Sequence, residues 1–289
     1  MKGTEIERVG VLGCGLMGSG IAEVCARNGR DVVVVEATPQ LVESGRARVE
    51  RSLAAALGRG KLSEAGHDAA LAHLDFTDDW SAFADRDLVV EAISEDHDLK
   101  VAAFRHLDEV VAGGEAVLAS NTSSIPIMKL ATATGRPEQV IGIHFFNPVP
   151  VLPLVELVAS LMTSAATADA AGEFAGDVLG KHVIRSQDRA GFVVNALLIP
   201  YLLSAIRMME SGFATADDID AGMVHGCAHP MGPLALADLI GLDTTMAVAE
   251  SMYAEFKEPL YAPPPLLSRM VEAGLLGRKT GRGFFNYAR

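Results

Sequence analysis

Cysteine is scarce in this chain. Cys14, Cys25 and Cys227 are the only three in 289 residues, too few and too scattered for a disulfide framework. A reducing compartment, the cytoplasm, is the expectation. Positive charge is also in deficit: 24 Lys and Arg stand against 37 Asp and Glu, for a formal net charge of −13. That excludes nucleic acid and anionic membrane surfaces as natural partners, although local backbone donors can still hold a small anion. Long hydrophobic runs are missing. The longest apolar stretch, Ala196 to Ile206, contains Pro200 and Ser204 and falls short of the roughly 20 residues a spanning helix needs. The opening, Met1 to Arg8, is polar and charged, and the apolar run Val9–Leu12 behind it is too short for a signal-peptide core. Internal repeats and low-complexity segments are absent, and Pro263-Pro264-Pro265 reads as a loop.

What is present is an ordinary globular composition. Hydrophobic residues make up 49%, enough for a real core, and at roughly 150 residues per domain the length suggests about two domains. The first half alternates short aliphatic runs with helical stretches. Val9–Leu12, Asp31–Val35, Leu88–Ile93, Ala116–Ser120 and Val140–Ile143 read as strands covered on both faces. Ile21–Asn28, Pro39–Leu57, Asp98–Ala112 and Ile127–Thr134 read as helices between them. Strand-helix-strand order implies a doubly wound parallel sheet. The stretch from Pro39 to His73 is too long for a simple crossover and reads as an inserted helical hairpin turning near Gly58–Gly60. After about Gln187 the β signal fades. Ala190–Ser211, Thr215–Val224, Leu234–Phe256 and Pro265–Ala273 read as helices, with Thr215 before Asp217 and Asp218 as a helix start. The expected division is an α/β domain over 1–188 and an all-helical domain over 189–289.

Gly13-Cys14-Gly15-Leu16-Met17-Gly18 matches G-x-G-x-x-G. A bare match is weak, but this one follows a strand and opens a helix, as a dinucleotide-binding loop of the Rossmann type requires. Gly13 permits the tight turn, Gly15 lets backbone approach a pyrophosphate, and Gly18 lets helix and strand pack closely. Leu16 and Met17 begin the helix, whose free N–H groups and positive dipole end face the phosphates. The alternative is a tight turn that binds nothing. Glu36 ends the second strand, 18 residues beyond Gly18. A carboxylate there accepts both ribose hydroxyls of adenosine and repels a 2′-phosphate, which selects NAD over NADP; otherwise Glu36 is a surface acid.

Three segments place polar groups where such a sheet presents its ligand edge: Glu91 to Glu95 with Lys100 beyond, Ser120 to Ser124, and His144 to Pro150 followed by Glu156. A hydride transfer from an alcohol needs a base for the hydroxyl proton, and histidine titrates in the right range. On pattern alone His144 reads equally as that base or as a satisfied core histidine before Phe145-Phe146. Glu156 is a lone acid in Leu154–Val158, costly to bury unless paired. It is either the partner that orients His144 or an exposed residue on a strand edge. His225-Gly-Cys227-Ala-His229 gathers three potential ligands, but a closed zinc site needs a fourth, and no metal is expected.

Eight ordered segments extend the pattern: Gly13–Gly20 (GCGLMGSG), Ser120–Ile125 (SNTSSI), Gly142–Pro150 (GIHFFNPVP), Leu154–Val158 (LVELV), Asp188–Asn195 (DRAGFVVN), Pro230–Pro233 (PMGP), Gly241–Thr244 (GLDT) and Gly277–Phe285 (GRKTGRGFF). With these the sequence resembles the short-chain 3-hydroxyacyl-CoA dehydrogenase family over nearly its whole length, and bacterial 3-hydroxybutyryl-CoA dehydrogenases in particular. The resemblance implies His144 as catalytic base and Glu156 as its partner. It implies Ser123 and Asn195 as hydrogen-bonding partners of the substrate, and Glu95 and Lys100 as cofactor contacts beside the nicotinamide ribose. Ser52, with Arg59 or Lys61, matches the hairpin that contacts coenzyme A, and the helical domain resembles the family's dimerisation domain. Where the family often carries arginine after its GF-x-x-N asparagine, this chain has Ala196. Without the resemblance, Ser123 reads as a turn or cap serine, Asn195 as a helix-start or packing residue, and Lys61 and Lys100 as solvated lysines.

The expectation is therefore an NAD-dependent oxidoreductase acting on a 3-hydroxyacyl thioester of coenzyme A, with a carrier-protein thioester or a non-catalytic NAD-binding module as alternatives. Glu36 makes a specific demand. NADH should bind more tightly than NADPH by roughly tenfold to several hundredfold, the few kcal/mol expected when a site's polar group loses its partner and meets a like charge. Dissociation constants measured by equilibrium dialysis check this, and equal values for the two cofactors would refute it.

Overall fold

Val9 and Val11 have no polar side chain to offer solvent, and both are fully buried in β1 (Arg8–Leu12) of the computed structural model, which describes residues 1–287. The same logic builds the sheet centre. In order follow α1 (Leu16–Arg27), β2 (Asp31–Val35), α2 (Pro39–Gly58), α3 (Glu64–Ala72), β3 (Leu74–Thr77), β4 (Leu88–Glu91), α4 (His97–Val110), β5 (Val117–Ser120), α5 (Ile127–Ala131), β6 (Val140–Phe145), β7 (Leu154–Ala159), α6 (Ala165–Glu173) and β8 (His182–Gln187). The eight strands lie in the order β3-β2-β1-β4-β5-β6-β7-β8. The pairs from β3 through β6 are all parallel, β7 runs antiparallel to β6, and β8 is parallel to β7. The doubly wound core is thus extended by two strands of reversed direction, which the reading of a purely parallel sheet did not include.

Pro39 stands at the first turn of α2, where its missing N–H costs nothing, and Thr38 caps that helix through Leu41 N–H. The chain turns at Arg59–Lys61 and restarts under the Ser63 cap, so α2 and α3 form the inserted hairpin. Two edge strands escaped the sequence reading. Leu-Asp-Phe-Thr of β3 and His-Val-Ile-Arg-Ser-Gln of β8 are polar and half-exposed, because a strand with one free edge has no need of a continuous aliphatic run. Asp188 closes this unit: its carboxylate accepts from Ile127 and Met128 N–H at 2.7 Å each and anchors the start of α5.

The chain separates into a unit of Met1–Asp188 and a second beginning at Arg189. The second is helical, with α7 (Val194–Glu210), α8 (Ala216–Cys227), α9 (Pro233–Ile240), α10 (Leu242–Phe256) and α11 (Pro265–Glu272) packed around Leu202, Leu203, Ile206, Leu234, Leu242 and Met252. The stretch expected as one helix from Leu234 to Phe256 is two, because Gly241 at φ +105° interrupts the ladder. Helix α7 starts at Val194 rather than Ala190, since Gly191 and Phe192 both take positive φ. Thr215 caps α8 as its spacing suggested. Buried Asp238 accepts from the N–H groups of Phe284 and Phe285 and the Tyr287 hydroxyl, fastening the last segment to α9. No helix among the described residues is long and apolar enough to cross a membrane.

Candidate active site

Backbone geometry makes the glycine loop before any ligand is considered. Gly13 holds φ +89°, and a β-carbon there would stand 2.9 Å from the Ala92 carbonyl. A β-carbon on Gly18 would meet the Gly13 carbonyl at 1.9 Å. At Gly15 a β-carbon would meet nothing within 4 Å. Gly13 and Gly18 are therefore required by the fold itself, while Gly15 keeps the approach to the α1 N-terminus open. Gly15 caps α1 without supplying a side-chain acceptor, so the first-turn N–H groups at Leu16, Met17 and Gly18 have no intrahelical partner. Together with the dipole they suit a pyrophosphate.

A cleft of about 560 Å³ opens beside this loop. Its walls include Gly13, Gly15, Glu36, Leu41, Trp80 and His106. The Glu36 carboxylate is fixed at its mouth, accepting from Cys14 N–H at 2.5 Å and from Ala37 N–H at 3.3 Å. Arg48 of the hairpin donates to the Cys14 carbonyl from the other side. An apolar trough, an open pyrophosphate loop and an acid at the ribose end fit a dinucleotide with free adenosine hydroxyls. Thiol chemistry does not fit here. Burial, then the charge of Glu36, pushes the Cys14 thiol up to about 12, and burial does the same to Cys25.

The second cluster forms where β5, β6 and β7 meet. His144 is the fifth residue of β6, inside the strand rather than just beyond it, and lies directly opposite Glu156 on β7. Its Nδ1 is 2.7 Å from Glu156 Oε2, and its Nε2 is 3.2 Å from Ser123 Oγ on the loop after β5. Only 4% of His144 and none of Glu156 is accessible. A carboxylate can only accept, so Nδ1 carries the proton and Nε2 presents its lone pair toward Ser123. Phe146 packs on the ring at 4.6 Å between centroids, and Asn121 Oδ1 accepts from Phe145 N–H at 2.9 Å. The exposed strand-edge alternative for Glu156 fails, because its carboxylate is buried against His144.

Glu91 and Lys100 hold the floor of this loop. Glu91 is fully buried at the end of β4; it accepts from Lys100 Nζ at 2.5 Å, Ser120 Oγ at 2.6 Å and Ile93 N–H at 2.8 Å. Lys100 is only 1% accessible and also lies 3.3 Å from Glu95 Oε2. It is therefore no solvated surface lysine. Its ammonium is committed to two carboxylates, and Glu91, whose place in the network sequence reasoning missed, is the first of them. The signal was present as an acid ending an otherwise aliphatic strand, Leu-Val-Val-Glu.

The remaining expected residues are placed as follows. Ser52 is half-buried on α2, while Arg59 and Lys61 are exposed at the hairpin turn. Asn195 is the second residue of α7 in the helical unit and is half-buried. His229 Nδ1 lies 3.1 Å from the Tyr201 hydroxyl. Among the described residues no three His, Cys, Asp or Glu side chains are gathered as a metal would require.

Two family models divide the chain between them. The 3-hydroxyacyl-CoA dehydrogenase NAD-binding domain matches residues 8–189, and the 3-hydroxyacyl-CoA dehydrogenase C-terminal domain matches residues 191–287. The 3-hydroxybutyryl-CoA dehydrogenase of Mycobacterium tuberculosis is 60% identical over 282 residues, 98% of this chain and 99% of its own length. Among solved structures, FadB2 of M. tuberculosis matches with a TM-score of 0.97 at 60% identity, covering 98% of this chain and 99% of its own. The (S)-3-hydroxybutyryl-CoA dehydrogenase of Ralstonia eutropha matches with a TM-score of 0.92 at 46% identity, over 99% of this chain and 100% of its own. With a dinucleotide cleft on one side of the sheet edge and an oriented histidine on the other, the chain belongs to the 3-hydroxyacyl-CoA dehydrogenase family.

Proposed function

We propose that this protein is an NAD-dependent dehydrogenase that interconverts (3S)-3-hydroxyacyl-CoA and 3-ketoacyl-CoA, with 3-hydroxybutyryl-CoA as its substrate. The observation that carries the reading is the Glu156–His144–Ser123 chain of hydrogen bonds, which leaves the His144 Nε2 lone pair beside a hydroxyl. Gly13, Gly15, Leu16, Met17, Gly18 and Glu36 hold the cofactor. Bound NAD⁺ supplies the acceptor for the hydride that leaves C3 of the substrate.

The protein's own part is proton handling and positioning. His144 Nε2 takes the proton of the 3-hydroxyl as the C3–H bond breaks. Glu156 keeps the ring in the tautomer that allows this and offsets the positive charge that forms on it. In the opposite direction the imidazolium returns its proton to the oxygen of C3. Ser123 and, by the resemblance, Asn195 stabilise charge on that oxygen in both directions and help position the thioester. Ser52, Arg59 and Lys61 on the hairpin are the contacts for coenzyme A. Three free cysteines, Cys14 and Cys25 buried and Cys227 exposed, support a cytoplasmic enzyme. A homodimer through the helical unit is supported by exposed apolar side chains there, Leu197 and Phe213 foremost. Sedimentation at micromolar concentration should give twice the chain mass, and monomer alone would sink the dimer.

The central test follows NADH absorbance with 3-ketoacyl-CoA substrates of increasing length. Acetoacetyl-CoA should be reduced with the highest kcat/KM; no turnover with any of them would refute the reading, and a kcat/KM that climbs steadily with length would refute the short-chain assignment. His144→Ala should lower kcat by about 10²–10⁴, the usual worth of a positioned general base. Glu156→Gln should also be costly, because an amide can hold the ring without offsetting its charge. The two losses should not add, since each disables the same pair. NADH affinity should stay near that of the wild type in both variants, and a near-normal kcat in His144→Ala with collapsed NADH binding would contradict the assignment.

A further inference from the structure

One end of the dinucleotide cleft is walled by rings. Strand β3 ends at Thr77, and a short 3-10 turn, Trp80–Phe83, follows it. Asp79 caps that turn, accepting from Ser81 N–H at 2.9 Å and from Ser81 Oγ at 2.6 Å. Phe83 is fully buried, and the Trp80 indole stands edge-on to it with ring centroids 6.2 Å apart. The His106 ring of α4 packs on the same indole at 4.7 Å, and its Nδ1 lies 3.4 Å from Glu109 Oε2. The indole is thus held both from the core and from α4, yet Trp80 is only half-buried and lines the cleft beside His106. Helix α4 continues that wall. Leu99, Ala102, Ala103 and His106 recur at i, i+3, i+4 and i+7 and all line the cleft. The two alanines leave room between the larger side chains. Leu99 is 56% exposed and Leu41, on α2, is 46% exposed, so the trough presents bare apolar side chains that a flat ligand can cover.

We propose that Trp80 is a cofactor-recognition residue: its indole is the surface on which the adenine base of NAD rests, and His106 is the ring that props it there. This rests on Glu36 taking the hydroxyls of the adenosine ribose. In adenosine the base is bonded to C1′, next to the carbon that bears the 2′-hydroxyl. A carboxylate that holds this hydroxyl therefore keeps the base inside the same cleft, whose walls include both Glu36 and Trp80. The glycine loop and the start of α1 suit the diphosphate, and Glu36 reads the ribose; neither touches the base. A purine gains there by covering apolar surface and by packing its π-face on a fixed ring. The indole is pre-positioned by Phe83 and His106, so little side-chain freedom is lost when the base arrives.

Trp80 is the only tryptophan in the chain, so the unaltered protein reports on it. ADP-ribose carries the adenosine and the diphosphate without the nicotinamide. It should quench the tryptophan emission as it saturates the site, with saturation established by displacement of NADH, and ribose 5-phosphate at the same concentration should not. In Trp80→Ala the dissociation constants of NADH and of ADP-ribose should both rise by roughly fivefold to a hundredfold, the worth of one base stacked on an aromatic side chain. The KM for NADH should rise with them, while kcat at saturating NADH stays within about threefold of the wild type. Trp80→Phe, which keeps a ring in place, should bring NADH affinity back to within about threefold. His106→Ala removes the prop and leaves the platform, so its loss should be smaller than that of Trp80→Ala. Unquenched emission in the wild type saturated with ADP-ribose would overturn the proposal, as would unchanged NADH affinity in Trp80→Ala. A kcat that falls while NADH affinity is preserved would also overturn it and make the indole a structural part of the turn. If Trp80→Ala did not fold, the wild-type emission and Trp80→Phe would decide. A wild type that bound no NADH would overturn the cofactor assignment and this proposal together, whereas NADH binding without quenching by ADP-ribose overturns this proposal alone.

Discussion

His144 and Glu156 can face each other only because β7 turns back along β6. In an antiparallel pair, opposed β-carbons lie about 4.5–5.5 Å apart, a span that an imidazole and a carboxylate bridge with a single short hydrogen bond. The register places the fifth residue of β6 against the third residue of β7. A parallel continuation would have carried that acid elsewhere along the strand. The antiparallel pairing of β7 with β6 in an otherwise largely parallel sheet thus sets the tautomer of the histidine and the direction in which Nε2 points.

Charge is buried at this sheet edge in two separate ways. The Glu156 carboxylate is held by the Nδ1–H of His144. The Glu91–Lys100–Glu95 group is held by one cation and a fan of hydroxyl and N–H donors from a single loop. Buried ion groups are weak sources of stability, because desolvation offsets most of the attraction. Their usefulness here is geometric: a carboxylate with several donors has one place to be. The same device recurs with Asp188 at the start of α5, Asp220 at the start of α9 and Asp238 at the final segment. Each of these acids supplies the missing acceptors of a helix start or a turn, from a buried carboxylate at Asp220 and Asp238 and a half-buried one at Asp188.

Much of this was legible in the sequence, for physical reasons. The central strands announced themselves because burial on both faces demands uninterrupted aliphatic residues. The glycine loop did so because only glycine tolerates its contacts, and Glu156 because an acid in Leu-Val-Glu-Leu-Val requires a partner. The edge strands β3 and β8 were silent, since one open edge permits Asp75, Arg185 and Ser186. The break at Gly241 was hidden by apolar helix formers on both sides. Lys100 was singled out by resemblance alone, since by type most lysines are solvated; its burial depends on Glu91 and Glu95, which come close only after β4 and α4 pack. For Asn195, Ser52, Arg59 and Lys61, neither pattern nor local geometry adds to what family resemblance suggests.

The three loop glycines serve the molecule unequally. Gly13 and Gly18 are enforced by contacts inside the protein, so a side chain at either would force the loop out of place. Gly15 faces empty space and owes its place only to what comes to lie against it. A descendant freed from selection for its cofactor could therefore change this one position first and remain a well-folded protein. The path from enzyme to inert scaffold, or to a partner for some other ligand, is shortest through Gly15.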